Sequence, residues 1–197
     1  GLTPRAVAEL DLLGIPTTAK EGWIRNHGLR ILGGGMRLEL PWPELNDVPG
    51  HGLVRTRQDF DDILAQHAVA QGARLLQGVN VTAPIVENGR VAGVEAKLLG
   101  GDGRATGEKA TYRAPLVVAC DGNSSRLALA VGREKREDRP MAVAVRAYYE
   151  TPRHDDAYLE SHLELWSTTP EGGRILMPGY GWLFGLGDGR SRETPTD

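Results

Sequence analysis

Leu116-Val117-Val118-Ala119-Cys120-Asp121-Gly122-Asn123-Ser124-Ser125-Arg126 is the stretch from which the rest of the chain is best read. Its four leading apolar residues, two of them β-branched valines, predict a buried strand, and the Cys-Asp-Gly-Asn that follows predicts a tight turn. Ser124 or Ser125 can cap a helix with Leu127, Ala128, Leu129 and Val131 on its apolar face, and Gly132 ends it. In an open α/β sheet, ligands gather at the carboxyl ends of strands, where a carboxylate such as Asp121 can accept from ribose hydroxyls. The turn is thus a nucleotide-site candidate. Asp-Gly also ends many ordinary strands, so on its own the turn reads first as plain structure.

The chain has 197 residues, 40% hydrophobic and 25% charged, which suits one sizeable core or two smaller ones. A net charge of −3, with the basic residues scattered, offers no footprint for nucleic acid. The single cysteine, Cys120, excludes an internal disulfide framework and a zinc cluster and makes a reducing cytoplasm the expected location. No apolar run approaches the roughly 20 residues of a membrane-spanning helix. The opening residues carry no basic-then-apolar leader pattern.

Working outward, Thr3 and Pro4 start a helix in which Ala6, Val7, Leu10 and Leu13 recur at helical spacing, and Gly14 stops it. From Glu21 to Leu40 the pattern is that of strands, with Gly33-Gly34-Gly35 as a hairpin connection. A second helix follows Arg57, carries Phe60, Ile63, Leu64 and a structural His67, and ends at Gly72. Leu75, Leu76, Val79 and Val81 then read as a strand, and Pro84 to Tyr112 as a β-meander turning at Asn88-Gly89 and at Gly100 to Gly103. After Met141 strands dominate: Ala142 to Tyr149, Leu159 to Trp166, Arg174 to Met177 and Gly181 to Leu186. The polar tail is expected to be disordered.

Four stretches carry a family resemblance. Gly1-Leu2-Thr3-Pro4-Arg5-Ala6-Val7 resembles the segment that follows a Cys-Gly-Asp in the geranylgeranyl reductase family of flavoproteins. Arg57-Gln58-Asp59-Phe60-Asp61 resembles that family's Arg-x-x-Phe-Asp helix, and Cys120-Asp121-Gly122 with Ser125-Arg126 is similar to the Asp-Gly motif it shares with flavin aromatic hydroxylases. Pro178-Gly179-Tyr180-Gly181-Trp182-Leu183-Phe184 resembles the Tyr-x-Trp-x-Phe-Pro signature of the isoprenoid cavity, with Gly185 in place of the proline. The resemblance covers nearly the whole chain up to Gly189.

What it implies is an α+β protein: an α/β FAD-binding part with a β-meander and an incomplete Rossmann sheet, plus an antiparallel-sheet substrate domain. Residues 1–20 and 52–135 fall to the first, 21–51 and 136–187 to the second, and 188–197 form the tail. By the same resemblance Arg57, Val81, Asp121 and Gly122 are cofactor-binding positions, while Tyr180, Trp182 and Phe184 bind substrate. A bidentate guanidinium suits phosphate, and three aromatics spaced by two share one strand face. The phosphate-cradling G-x-G-x-x-G and its following acidic residue are absent from these residues, so the chain is expected to be the interior of a longer flavoprotein.

The implied activity is FAD-dependent reduction of carbon–carbon double bonds in a polyprenyl chain on a lipid or quinone, with NADPH or a ferredoxin-like protein as reductant. Peripheral membrane association belongs to the same expectation. No residue qualifies as a proton donor, so no catalytic residue is named. The alternatives are an FAD-dependent aromatic monooxygenase, which shares Arg57 and the Asp-Gly turn, and a non-catalytic remnant that cannot hold FAD alone.

Overall fold

The computed structural model describes residues 1–134, 138, 142–187 and 190–194. They divide into two compact units, residues 1–71 with 141–197, and residues 72–140.

Helix α1 (Pro4–Leu12) of the first unit begins after Thr3, with proline in its first turn, and the chain leaves it through Gly14 at φ 72°. Its Val7 and Leu10 join Ile15, Trp23 and Leu53 in a buried cluster, against which Phe60, Ile63 and Leu64 of α2 (Arg57–Ala70) pack. Trp23 meets Phe60 edge-on, ring centres 5.8 Å apart. Thr56 starts α2 by accepting from the Asp59 N–H at 3.2 Å. A short ribbon pairs β1 (Ile24–Asn26) with β4 (Gly52–Val54).

The main sheet of this unit has the strand order β3-β2-β9-β12-β13-β8. Its members are β2 (Gly28–Gly33), β3 (Met36–Pro41), β8 (Ala147–Glu150), β9 (Tyr158–His162), β12 (Gly181–Gly185) and β13 (Arg190–Thr194). Neighbours run antiparallel except β2 with β9. Gly34 and Gly35, at φ 59° and 74°, make the β2–β3 turn. Gly28 has no room for a Cβ, which would run into the Leu40 carbonyl oxygen. Between β9 and β12 the chain forms a separate hairpin, β10 (Leu165–Thr168) with β11 (Arg174–Met177).

The second unit is an antiparallel meander of β5 (Val79–Glu87), β6 (Arg90–Leu99) and β7 (Ala105–Arg113), turning at Asn88 and Gly89, φ 52° and 75°. Helix α3 (Arg126–Ala130) packs on β5; Ser125 caps it by accepting from the Ala128 N–H at 3.0 Å. Gly132 follows it at φ 93°.

Several expectations need correction: the strand expected over Ala142 to Tyr149 begins only at Ala147, and the run Leu159 to Trp166 is broken after His162 and resumes in the separate β10 hairpin. Leu116 to Ala119 is neither strand nor buried: Leu116 and Val118 are 76% and 72% exposed, and Cys120 is exposed too. A strand is made by neighbours that satisfy its backbone, and no strand among the described residues pairs with this run. Conversely, Arg190–Thr194 of the supposedly disordered tail pairs with β12 and β8. Ladder hydrogen bonds need only backbone, so a polar sequence can complete a sheet that apolar neighbours have already built. Leu75 and Leu76 lie ahead of the strand, which starts at Val79. The rest of the tail, 188–189 and 195–197, lies outside the described residues.

Candidate functional site

Side chains alternate across a strand, so the register of the six-stranded sheet sorts its residues onto two faces. Arg30 pairs with Glu39 and Glu160; one residue along, Ile31 pairs with Leu38 and Ser161, and Ser161 with Trp182. Arg30, Glu39, Glu160 and His162 therefore lie on one face, and Leu29, Ile31, Leu38, Leu40, Leu159, Ser161, Trp182 and Phe184 on the other.

The first face is an ion-pair network. The side chains of Arg30 and Glu160 are 8% and 3% exposed and 3.1 Å apart. Arg30 also reaches Glu39 at 2.8 Å and Asp156, and lies 5.1 Å from the Tyr158 ring centre. Arg153 grips Glu160 at 3.1 and 2.5 Å and Asp156 at 2.8 Å, while the His162 ring meets Glu160 at 2.9 Å. Hydrogen bonding to Asp156 raises the Arg30 pKa above its ordinary value. Burial would push the Asp156 carboxyl up, but the hydrogen bonds from Arg30 and Arg153 outweigh it and hold the pKa at about 2. The Glu160 carboxyl is lowered for the same reasons, Arg153 acting ahead of Arg30. A hollow of about 380 Å³ lies over this network, but its charged walls are already paired with one another.

The second face is apolar and partly open. Leu159 and Ser161 of β9 are buried and form a floor. Leu29 and Ile31 of β2, half-buried, stand on one side. On the other side Trp182 and Phe184 are half-buried, and Tyr180 continues their row. Ring centres are 5.4 Å apart from Tyr180 to Trp182 and again from Trp182 to Phe184. Along β9 the face thus carries an aliphatic row on one side and an aromatic row on the other, and Met36, Leu38 and Leu40 continue the aliphatic side to the sheet edge, each about half exposed. At one end Val54, Leu186, Ile24 and Trp42 pack over Leu159, Leu29 and Phe184.

The other sequence candidates are divided between the units. Arg57, in the first, is exposed at the start of α2 and forks onto Asp61, Nε to Oδ1 at 3.0 Å and an Nη to Oδ2 at 2.9 Å; this bond raises its pKa. Val81, Asp121 and Gly122 are in the second. Val81 lies on β5 opposite Ala96, beside a bulge. Asp121 begins the turn into α3, where the Ser125 hydroxyl, followed by backbone N–H groups, holds its carboxyl below the usual range. Gly122 is at φ 83°, with open space where a side chain would be. Taken singly, Arg57 is an exposed bidentate donor of the kind that suits phosphate, Asp121 is a carboxylate acceptor, and Gly122 forms a turn that nothing crowds.

Sequence reading did not find the ion-pair network, because Arg30 is 126 residues from Asp156 and 130 from Glu160. The alternation of Arg30 with Leu29 and Ile31 was the available signal, an inward charge on an otherwise apolar strand. Among the described residues no cluster suits a metal ion, and no helix is long and apolar enough to cross a membrane.

The sequence is 39% identical over 189 residues to menaquinone reductase of Mycolicibacterium smegmatis, an alignment that takes in 96% of this chain and 42% of that protein. Digeranylgeranylglycerophospholipid reductase 2 of Methanopyrus kandleri is 29% identical over 193 residues, 91% of this chain and 44% of that one. The chain thus spans less than half the length of the curated relatives it matches. Among solved structures, a geranylgeranyl bacteriochlorophyll reductase-like protein of Thermoplasma acidophilum superposes with a TM-score of 0.68 at 25% identity, over 95% of this chain and 44% of that one. A family model described as FAD dependent oxidoreductase matches residues 38–197, so the chain belongs to the FAD-dependent oxidoreductase family and has the mixed α/β fold of its flavoproteins.

Proposed function

We propose that this chain is the part of an FAD-dependent reductase that holds a polyprenyl chain, on a lipid or quinone, while its isolated double bonds are saturated. The observation that carries the reading is the pair of apolar rows flanking β9, aliphatic on one side and Tyr180, Trp182 and Phe184 on the other, which together make an open apolar groove in this account. A partly exposed aromatic row beside an aliphatic one binds an extended hydrocarbon chain by apolar burial, orients it along the strand and keeps water away. The relatives named for menaquinone and for digeranylgeranyl lipids support such a substrate.

FAD, when bound, supplies the two electrons for saturation. The residues that would hold it are Arg57 in the first unit, which would meet a phosphate after giving up its Asp61 partner, and in the second unit Asp121, which would accept from a ribose hydroxyl, Gly122, which leaves its turn uncrowded, and the backbone at Val81, which would border the adenine. Residues 1–20 and 52–135 then serve the cofactor, and 21–51 and 136–187 the substrate, although 1–20 and 52–71 pack in the same compact unit as the sheet.

The test is anaerobic incubation with FAD, NADPH and a prenylated quinone. A product that has gained two hydrogens in its prenyl chain is the expected result. A hydroxylated aromatic product in air marks a monooxygenase, and a colourless protein that rejects added FAD marks a non-catalytic segment.

A further inference from the structure

The groove is open at the Tyr180 end and closed at the other, and what closes it is unusually well fixed. Trp42 continues the β2–β3 ladder by one step, its backbone N–H donating to the His27 carbonyl at 2.8 Å. By the same alternation that places Leu38 and Leu40 on the apolar face, its ring belongs to that face too. The ring packs against the cluster of Val54, Leu159 and Leu186, directly beyond the floor residue Leu159. Its indole Nε1 donates to the Asn26 Oδ1 at 2.7 Å.

Asn26 itself is 1% exposed, on the β1–β4 ribbon, with its Nδ2 lacking a partner among the described residues. Opposite it is Gly52, where a Cβ would come within 2.6 Å of Oδ1 and 2.8 Å of Nδ2. Burying an amide whose donor half is unmet is costly, so a purely packing role would be served better by an apolar residue. What Asn26 provides instead is a single orientation for the indole.

Resting on the reading of the groove as an apolar-chain site, we infer that Trp42 is its end stop and Asn26 the residue that positions the stop, the pair setting how much linear hydrocarbon the groove accepts. From Leu159, where the cover of Val54, Leu186, Ile24 and Trp42 begins, to the Tyr180 row the distance is about four residues, on the order of 13 Å of strand. Chain within that span is buried against both walls, and chain beyond it meets the indole or projects from the open end. Neither adds affinity.

The experiment is calorimetric titration of this chain with linear primary alcohols from hexanol to dodecanol. Affinity rises about fourfold for each added methylene while the tail is being buried, and stops rising at one length inside the series. In Trp42→Ala that break moves outward by at least two methylenes. In Asn26→Ala, where the indole is present but no longer held, it moves outward by less and becomes gradual. Trp42→Phe, which keeps a ring and loses the hydrogen bond, leaves the break within one methylene of its original place and shows that the position tolerates change. A break that stays fixed in Trp42→Ala overturns the end stop, as does an equal loss of affinity at every length in Asn26→Ala. Absence of any length dependence in the unaltered chain overturns the groove reading itself and the stop with it.

Discussion

The two faces of the six-stranded sheet are made by the same strands, one residue out of step, and they end up in opposite states. On one, Arg30, Asp156, Glu160 and Arg153 satisfy one another within 3.1 Å or less, and little remains to offer a ligand. On the other, Leu38, Leu40 and Tyr180 are nearly half exposed, and Trp182 is half-buried. On the proposed reading the charged face serves stability and the apolar face binding. A residue's chemistry alone does not make this assignment: charged clusters usually attract functional readings, yet here the hydrocarbon is what stays open to solvent.

Substitutions on the two faces should separate these roles. Arg30→Met, which leaves Glu160 and Asp156 short of a cation in a buried network, is expected to cost about 3–5 kcal/mol in denaturant unfolding while barely changing alcohol affinity in whatever fraction stays folded. Leu159→Ala, at the covered end of the apolar face, should cost about 2–4 kcal/mol and also weaken binding, since this residue serves both core and floor. Acid gives a smaller and graded effect. The Asp156 pKa is about 2 in the fold against an ordinary 3.8, so its stabilisation is complete above about pH 4 and fades as the pH falls toward 2. Glu160 is shifted in the same direction, and Arg30→Met should flatten this acid limb. Leu38→Ser, on the open face at the sheet edge, should change stability by no more than about 0.5 kcal/mol yet lower alcohol affinity several-fold. A Leu38→Ser variant with unaltered affinity would show that the groove ends short of the edge strand.

Local signals in the sequence carried much of this. Thr3-Pro4, the Gly34-Gly35 and Asn88-Gly89 turns and the helix from Arg57 are written in residues whose conformational preferences act within a few positions, and they fold where those preferences say. The row of Tyr180, Trp182 and Phe184 was legible for the same reason, an alternation of two within one strand. The failures are matters of partnership. Leu116 to Ala119 has the composition of a buried strand and no neighbour among the described residues to make it one, while Arg190–Thr194 has the composition of a tail and lies between two strands. The bond that Trp42 donates to Asn26 spans 16 residues and joins β1 to the residue after β3, so it leaves no trace in local pattern.

The central claim is that an apolar chain lies on the aromatic face and not over the ion pairs. A prenol carrying a photoreactive group, irradiated with this chain and mapped by mass spectrometry, tests it most directly. Adducts on Ile31, Leu38, Tyr180 and Trp182 that disappear with excess geranylgeraniol are what the account predicts. Adducts on Arg37, Arg153 or His162, or labelling that geranylgeraniol does not displace, would contradict it.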